Sequence, residues 1–245
     1  MDAWEGFEEG YARTRHGELF YRHMPSGGRR VVFLHGVGAR IGTWRPLIPH
    51  LHKDIDAYMV DLLGHGNSDA PDIDYSITVQ VDSVSDMMEN LGIGQPVVFG
   101  NSYGGWIGGL LAAGGKLGGL VLEDTAGLDY YINGFADEGK LEGYKASLLR
   151  ELMGLGFNSQ KVMESIVGNL QKSMLTHEVL SAIKCRTQVI WGSNDRVVPI
   201  AIGERLRDLI NGCAFDVVDG ADHVPHFSKP EEVGRILGRF LGLIR

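Results

Sequence analysis

The sequence predicts an α/β protein: a mostly parallel, doubly wound sheet flanked by helices, with a helical lid inserted between two strands. Three observations carry this. Short apolar runs recur along the chain and stop at Gly, Asp or Asn, as strands buried on both faces of a parallel sheet do. Helix-spaced apolar patterns separate them, which implies βαβ units. One long stretch, residues 126–184, keeps helical periodicity and contains no convincing strand.

Each element follows from local pattern. "GELFYRH" near the start reads as an antiparallel edge strand. "RVVFLHG" (Arg30–Gly36) and "DAYMVDLLG" (Asp56–Gly64) read as strands, and Thr78–Leu91 as a helix. "PVVFGNS" (Pro96–Ser102) is a strand that runs into a glycine-rich helical stretch, and "LGGLVLEDTAG" (Leu117–Gly127) is the next strand. Within the insertion, Leu141, Tyr144, Leu148, Leu149 and Leu152 share one helical face; Val162, Met163, Ile166, Val167 and Leu170 share another. Asn158 or Ser159 suits the cap of that second helix, and Thr176 the cap of a short third, His177–Ile183. Met153, Met163 and Met174 suit either an adaptable acyl pocket or plain helix packing. After the insertion come "TQVIWGSND" (Thr187–Asp195), a helix over Ile200–Ile210, "AFDVVDGADH" (Ala214–His223) and a helix over Pro230–Leu243. The expected organisation is a core from residues 1–125 and 185–245, with residues 126–184 as the lid.

Composition narrows the class. The 245 residues are 44% hydrophobic and 22% charged, ample for a sizeable core. A net charge of -8 without a basic stripe argues against a nucleic-acid partner. No apolar run is long enough to span a bilayer, so no membrane partner is expected. The first residues are acidic and lack an apolar stretch, unlike a signal peptide. Cys185 and Cys213 read as free thiols in a reducing compartment, so the expected location is cytoplasmic. No signal of oligomeric state stands out.

The chemistry centres on Gly100-Asn101-Ser102-Tyr103-Gly104, a G-x-S-x-G that ends one strand and opens a helix. Such a turn forces the serine into a strained conformation and lifts its hydroxyl clear of neighbours. Gly105, Gly108 and Gly109 let the helix approach the sheet closely. A serine hydroxyl is a weak nucleophile and needs a base, and the base needs a partner to orient it. Asp195 and His223 each follow a predicted strand, and the order Ser102…Asp195…His223 suits a serine nucleophile on a doubly wound sheet. His223 would take the Ser102 proton and Asp195 would hold the imidazole tautomer. His223 and His226 also form H-x-x-H, but Pro225 breaks the helix a metal pair would need. No metal and no cofactor are expected, and His226 reads as a pocket-wall residue or a local hydrogen bonder. Oxyanion donors are expected at the Val37 and Tyr103 backbone N–H groups. His35 reads as structural.

With these motifs together the chain resembles the α/β-hydrolase fold family over nearly its whole length. The matching pieces are His35-Gly36, "GHGNSDAP" (Gly64–Pro71), "GNSYGG", "GSNDRVVP" and "GADHVPHFSKPEEV", in the family's order. The resemblance implies Ser102 as nucleophile, His223 as base, Asp195 as acid, Val37 and Tyr103 as oxyanion donors, and residues 126–184 as the cap. Ser68 is no rival nucleophile, since no glycine elbow follows it. Asp124 is a rival acid, because some members carry the acid after that strand; the bland alternative is a cap for the segment leading into the lid. Serine at the elbow implies acyl transfer, and the leading expectation is a carboxylesterase acting on small, fairly apolar esters. A second is hydrolytic carbon–carbon cleavage of ring-fission diketones, which "GNSYGG" and "EDTAG" resemble, although "HVPHF" lacks the tryptophan common in that branch. Other members of the fold are small-molecule receptors. Trp44, Tyr103, Trp106 and Phe227 lie beside motif residues, where a substrate would be in reach.

Overall fold

The computed structural model describes residues 3–128 and 157–243. Its strands are β1 (Glu8–Thr14), β2 (Gly17–Met24), β3 (Arg29–Leu34), β4 (Ile55–Val60), β5 (Val97–Asn101), β6 (Gly119–Glu123), β7 (Arg186–Gly192) and β8 (Ala214–Val218). They form one sheet in the order β1-β2-β4-β3-β5-β6-β7-β8. The β1–β2 and β2–β4 pairs are antiparallel, and every pair from β4 to β8 is parallel.

The apolar runs became the central strands for a simple reason: both faces of the sheet are covered. Side chains alternate between faces along a strand. Val32 and Leu34, Leu120 and Leu122, and Val189 and Trp191 join one apolar cluster. Val31 and Phe33, Val121 and Ile190 join the other. The first cluster is covered by helices α1 (Ile77–Asn90), α2 (Tyr103–Ala113), α3 (Gln160–Gly168), α4 (His177–Ala182) and α5 (Ile200–Leu209). On the opposite face lie short 3₁₀ turns, including Ile41–Trp44, and helix α7 (Pro230–Phe240), preceded by the single turn α6 (Pro225–Ser228).

One expectation needs correction. "GELFYRH" is β2, yet it is not the edge; β1 lies outside it, registered from Glu8 opposite His23 to Thr14 opposite Gly17. Only Ala12 and Thr14 of β1 are buried, so its polar sequence carries no apolar run to read. The methionines in the described part of the insertion pack rather than leaving an open wall. Met163 and Met174 are 5% and 7% exposed within the first cluster.

Ser159 Oγ accepts the Val162 N–H and Thr176 Oγ1 accepts the Val179 N–H, which fixes the starts of α3 and α4. Asn158, the other cap candidate, instead donates to the Ser68 carbonyl. Helix α3 seats against the loop after β4: the Asn158 N–H reaches Gly64 O at 3.0 Å, and the Tyr75 N–H reaches Ser165 Oγ at 3.0 Å. The leading helix expected over residues 138–153, with Leu141, Tyr144, Leu148, Leu149, Leu152 and Met153, lies outside the described residues. Cys185 and Cys213 are unpaired. Among the described residues no helix is long and apolar enough to cross a membrane.

Candidate active site

The residues singled out from sequence all follow parallel strands. Val37 follows β3, Ser102 β5, Asp124 β6, Asp195 β7 and His223 β8. From β3 the chain runs to β4 on one side and then to β5 on the other. Loops diverge at such a reversal and leave a crevice at the carboxyl ends of the strands.

Ser102 stands between β5 and α2 at φ 50° and ψ -110°. An L-residue rarely occupies that region, and it persists only where its surroundings hold it. Here its N–H donates to Glu123 O at 2.9 Å, and its carbonyl accepts the Trp106 and Ala126 N–H groups, each at 3.1 Å. Close approach explains two flanking glycines. A Cβ on Gly104 would lie 2.1 Å from Leu34 O, and one on Gly100 would lie 2.3 Å from Gly104 O. The first turn of α2 is therefore pressed onto the end of β3, which sets Tyr103 beside the loop that carries Val37. Gly105 and Gly108 face Thr125, Leu120 and Val98 of the sheet side, as expected, but Gly109 faces Leu175 instead.

Asp195 and His223 meet. His223 Nδ1 lies 2.8 Å from Asp195 Oδ2, and the Asp195 side chain is fully buried. Asp195 Oδ1 accepts the N–H groups of Val197 and Val198 at 2.7 and 3.0 Å. Burial pushes the Asp195 carboxyl up, but the bonds from His223 and Val198, with Asp124 close by, outweigh it and hold it below the ordinary carboxylate range. With Nδ1–H donating to Asp195, Nε2 of His223 is the nitrogen that accepts. Among the described residues no hydrogen bond joins His223 to Ser102. The two loops are tied one residue away, where Asn101 Nδ2 donates to His223 O at 3.1 Å. Unliganded catalytic contacts are commonly loose and tighten on binding.

The match to the alpha/beta hydrolase family extends over residues 31–236. The chain belongs to that family. It is a hydrolase, in keeping with its relatives. Monoacylglycerol lipase abhd6-A of Xenopus laevis is 24% identical over 91% of this chain and 78% of its own length. The 2-hydroxy-6-oxo-6-(2'-aminophenyl)hexa-2,4-dienoic acid hydrolase of Metapseudomonas resinovorans is 25% identical over 92% of this chain and 88% of its own. Among solved structures, the enol-lactonase from Burkholderia xenovorans LB400 superposes with a TM-score of 0.78 at 21% identity, over 95% of this chain and 100% of that one.

In this alpha/beta hydrolase the loop that carries Val37 is braced by two buried histidines, His35, which the sequence reads as structural, and His65. His35 Nε2 accepts the Leu62 N–H at 3.0 Å, and its Nδ1–H donates to Gly36 O. His65 Nε2 accepts the Gly38 N–H at 3.1 Å, and its Nδ1–H donates to Leu63 O. Each ring uses one nitrogen as an acceptor, so each must be neutral. Burial pushes His35 down to about 4, and burial followed by the field of His35 pushes His65 down to about 3. Both folded values lie below the ordinary 6.5, so the unfolded chain binds these protons first as pH falls. Stability should therefore drop from pH ~6.5 towards pH ~4, at about 1.4 kcal/mol per unit for each ring. Urea midpoints across that range test this, and His65→Gln should flatten the slope.

Asp61 also braces the loops. Its carboxylate accepts the Ile41 N–H at 2.6 Å and the Asn67 N–H at 2.9 Å. Ser68 Oγ donates to Asp61 O and accepts the Phe20 N–H, so that hydroxyl is committed to structure.

His226 is not a local hydrogen bonder. It is fully buried, and both its N–H and its Nδ1 bond the Glu123 carboxylate at the end of β6. Nε2 meets Thr43 Oγ1 at 3.0 Å, and the ring stacks on Trp44 at 3.9 Å. His226→Ala should cost about 3–5 kcal/mol by removing the ring that pairs with the buried Glu123 carboxylate, read as a lowered urea midpoint.

The aromatic candidates for substrate contact also resolve. Trp44 and Trp106 are core residues at 0% and 1% exposure, and Trp106 Nε1 donates to Ser173 O. Tyr103 is buried, and Phe227 is largely exposed. Among the described residues Asp124 caps nothing. It sits at φ 43°, its Oδ1 accepts the Gly192 N–H, and it lies beside Asp195 and His223, with one ligand atom from each of the three within 4.8 Å of the others.

Proposed function

We propose that this hydrolase cleaves small, fairly apolar carboxylic esters through an acyl-enzyme, with Ser102 as nucleophile, His223 as base and Asp195 as acid. The observation that carries the reading is the pairing of a strained serine on the β5–α2 turn with a bonded His223–Asp195 couple on neighbouring strand ends.

Ser102 Oγ attacks the ester carbonyl while His223 Nε2 takes its proton. Asp195 steadies the resulting imidazolium through Nδ1–H. The N–H groups of Val37 and Tyr103 receive the oxyanion, the latter at the first turn of α2 where the helix dipole adds to it. His223 then protonates the leaving alcohol, and water repeats the sequence to release the acid. In this reading residues 126–184 act as the cap that limits the acyl chain. The relative named a monoacylglycerol lipase supports ester cleavage.

Carbon–carbon cleavage is the second reading. The relative named a hexa-2,4-dienoic acid hydrolase favours it, as do "GNSYGG" and "EDTAG". A panel of p-nitrophenyl esters of rising acyl length, run beside a ring-fission diketone, separates the two. Turnover of short esters with a sharp chain-length cut-off supports the esterase. Turnover of the diketone alone replaces it with carbon–carbon hydrolysis.

A further inference from the structure

We propose that Asp124 is a positioning residue held as a neutral carboxylic acid, whose Oδ2–H donates a hydrogen bond to the Asp195 carboxylate. This rests on the reading of Asp195 and His223 as acid and base. Sequence reasoning set Asp124 and Asp195 as rivals for one imidazole N–H; the geometry makes them neighbours that share a proton.

Asp124 is fully buried. Its Oδ1 accepts the Gly192 N–H at 3.1 Å, while Oδ2 is buried and receives no donor. An ionised carboxylate with a bare oxygen in a dry site is costly. The charged groups facing it make this worse. Glu123 on its own strand is a carboxylate already engaged by His226, Asp195 comes from the loop after β7, and His223 from the loop after β8 has its N–H committed to Asp195. Two adjacent carboxylates in such a place retain one proton between them. Asp195 collects three donors, from Val197, Val198 and His223, whereas Asp124 collects one. The proton therefore resides on Asp124, and among the described residues the acceptor beside it is Asp195. Burial, then the neighbouring Asp195 and the field of Glu123, push Asp124 up to about 11, in the same direction. The spacing would also suit a cation, but the direct 2.8 Å bond already commits His223 Nδ1 to Asp195.

The function of such a proton is orientation. It holds Asp195 Oδ2 on the His223 Nδ1–H and withdraws negative charge from it. Asp124→Asn is the informative variant, because its amide keeps an acceptor for Gly192 and a donor for Asp195, and Asn tolerates positive φ. A folded value above the ordinary 3.8 means that Asp124 stabilises least at high pH, since the unfolded chain releases that proton and the folded one keeps it. Asp124→Asn should thus unfold at a higher temperature than the wild type, with the gap widening from pH 5 to pH 9. Its acidic limb in kcat/KM for a p-nitrophenyl ester should stay in place. Asp124→Ala, without the donor, should lose about tenfold or more in kcat and move that limb to higher pH. An acidic limb that moves to lower pH in Asp124→Asn would mean an ionised Asp124 and overturn the proposal, as would a stability gap that does not widen. Loss of activity on chelation, restored by Zn²⁺, would replace the proton with a metal. The unfolding comparison needs no turnover, so it still reads the Asp124 proton if Ser102 proves dispensable and the triad reading fails.

Discussion

Ser102→Ala should abolish ester turnover in a protein that stays folded, with kcat falling by about 10⁶, as when a serine protease loses its nucleophile. The fold should survive because the bonds at this residue are made by its backbone. Its N–H to Glu123 O and its carbonyl to Trp106 and Ala126 are all kept by alanine. Wild-type-like circular dichroism with no burst of p-nitrophenol is the expected result. Near-wild-type turnover by the pure variant would remove the acyl-enzyme.

Asp195→Asn should approach a 10⁴-fold loss in kcat, the size seen when the same change is made in a serine protease. The local geometry gives the reason. Two backbone N–H groups, Val197 and Val198, point at Oδ1, so an asparagine keeps its carbonyl oxygen there. Its NH₂ then faces His223 Nδ1 and favours the tautomer with the proton on Nε2. That nitrogen can no longer accept from Ser102. Asp124→Asn, measured on the same ester, should lose far less, because it bonds Gly192 and not His223. If Asp124→Asn is the crippled variant, the acid has moved to the end of β6 and Asp195 only shapes its turn.

How far the sequence could be read depended on the distance over which each signal acts. The buried strands were legible because a strand covered on both faces needs a mostly apolar run, and β4 and β6 are buried at every position. The helix caps at Ser159 and Thr176 were legible because a cap bonds a residue three places on. The serine turn was legible because the glycines that permit it are its neighbours. β1 was not, since its "EEGYART" is held by pairing with β2 and buries little of its own.

By itself, then, the chain determined a doubly wound sheet and an order of Ser102, Asp195 and His223 that puts each after a strand. Tertiary structure alone decided what stands beside them. Glu123 meets His226 across 103 residues, and Asp124 meets Gly192 across 68. His65 meets Gly38 only because β3 and β4 are neighbours in the sheet. These contacts join side chains from different strand ends, and no local pattern encodes them. A buried carboxylate or imidazole takes its charge state from whichever partner the sheet order delivers, so the protonation of Asp124, His35 and His65 follows from the fold.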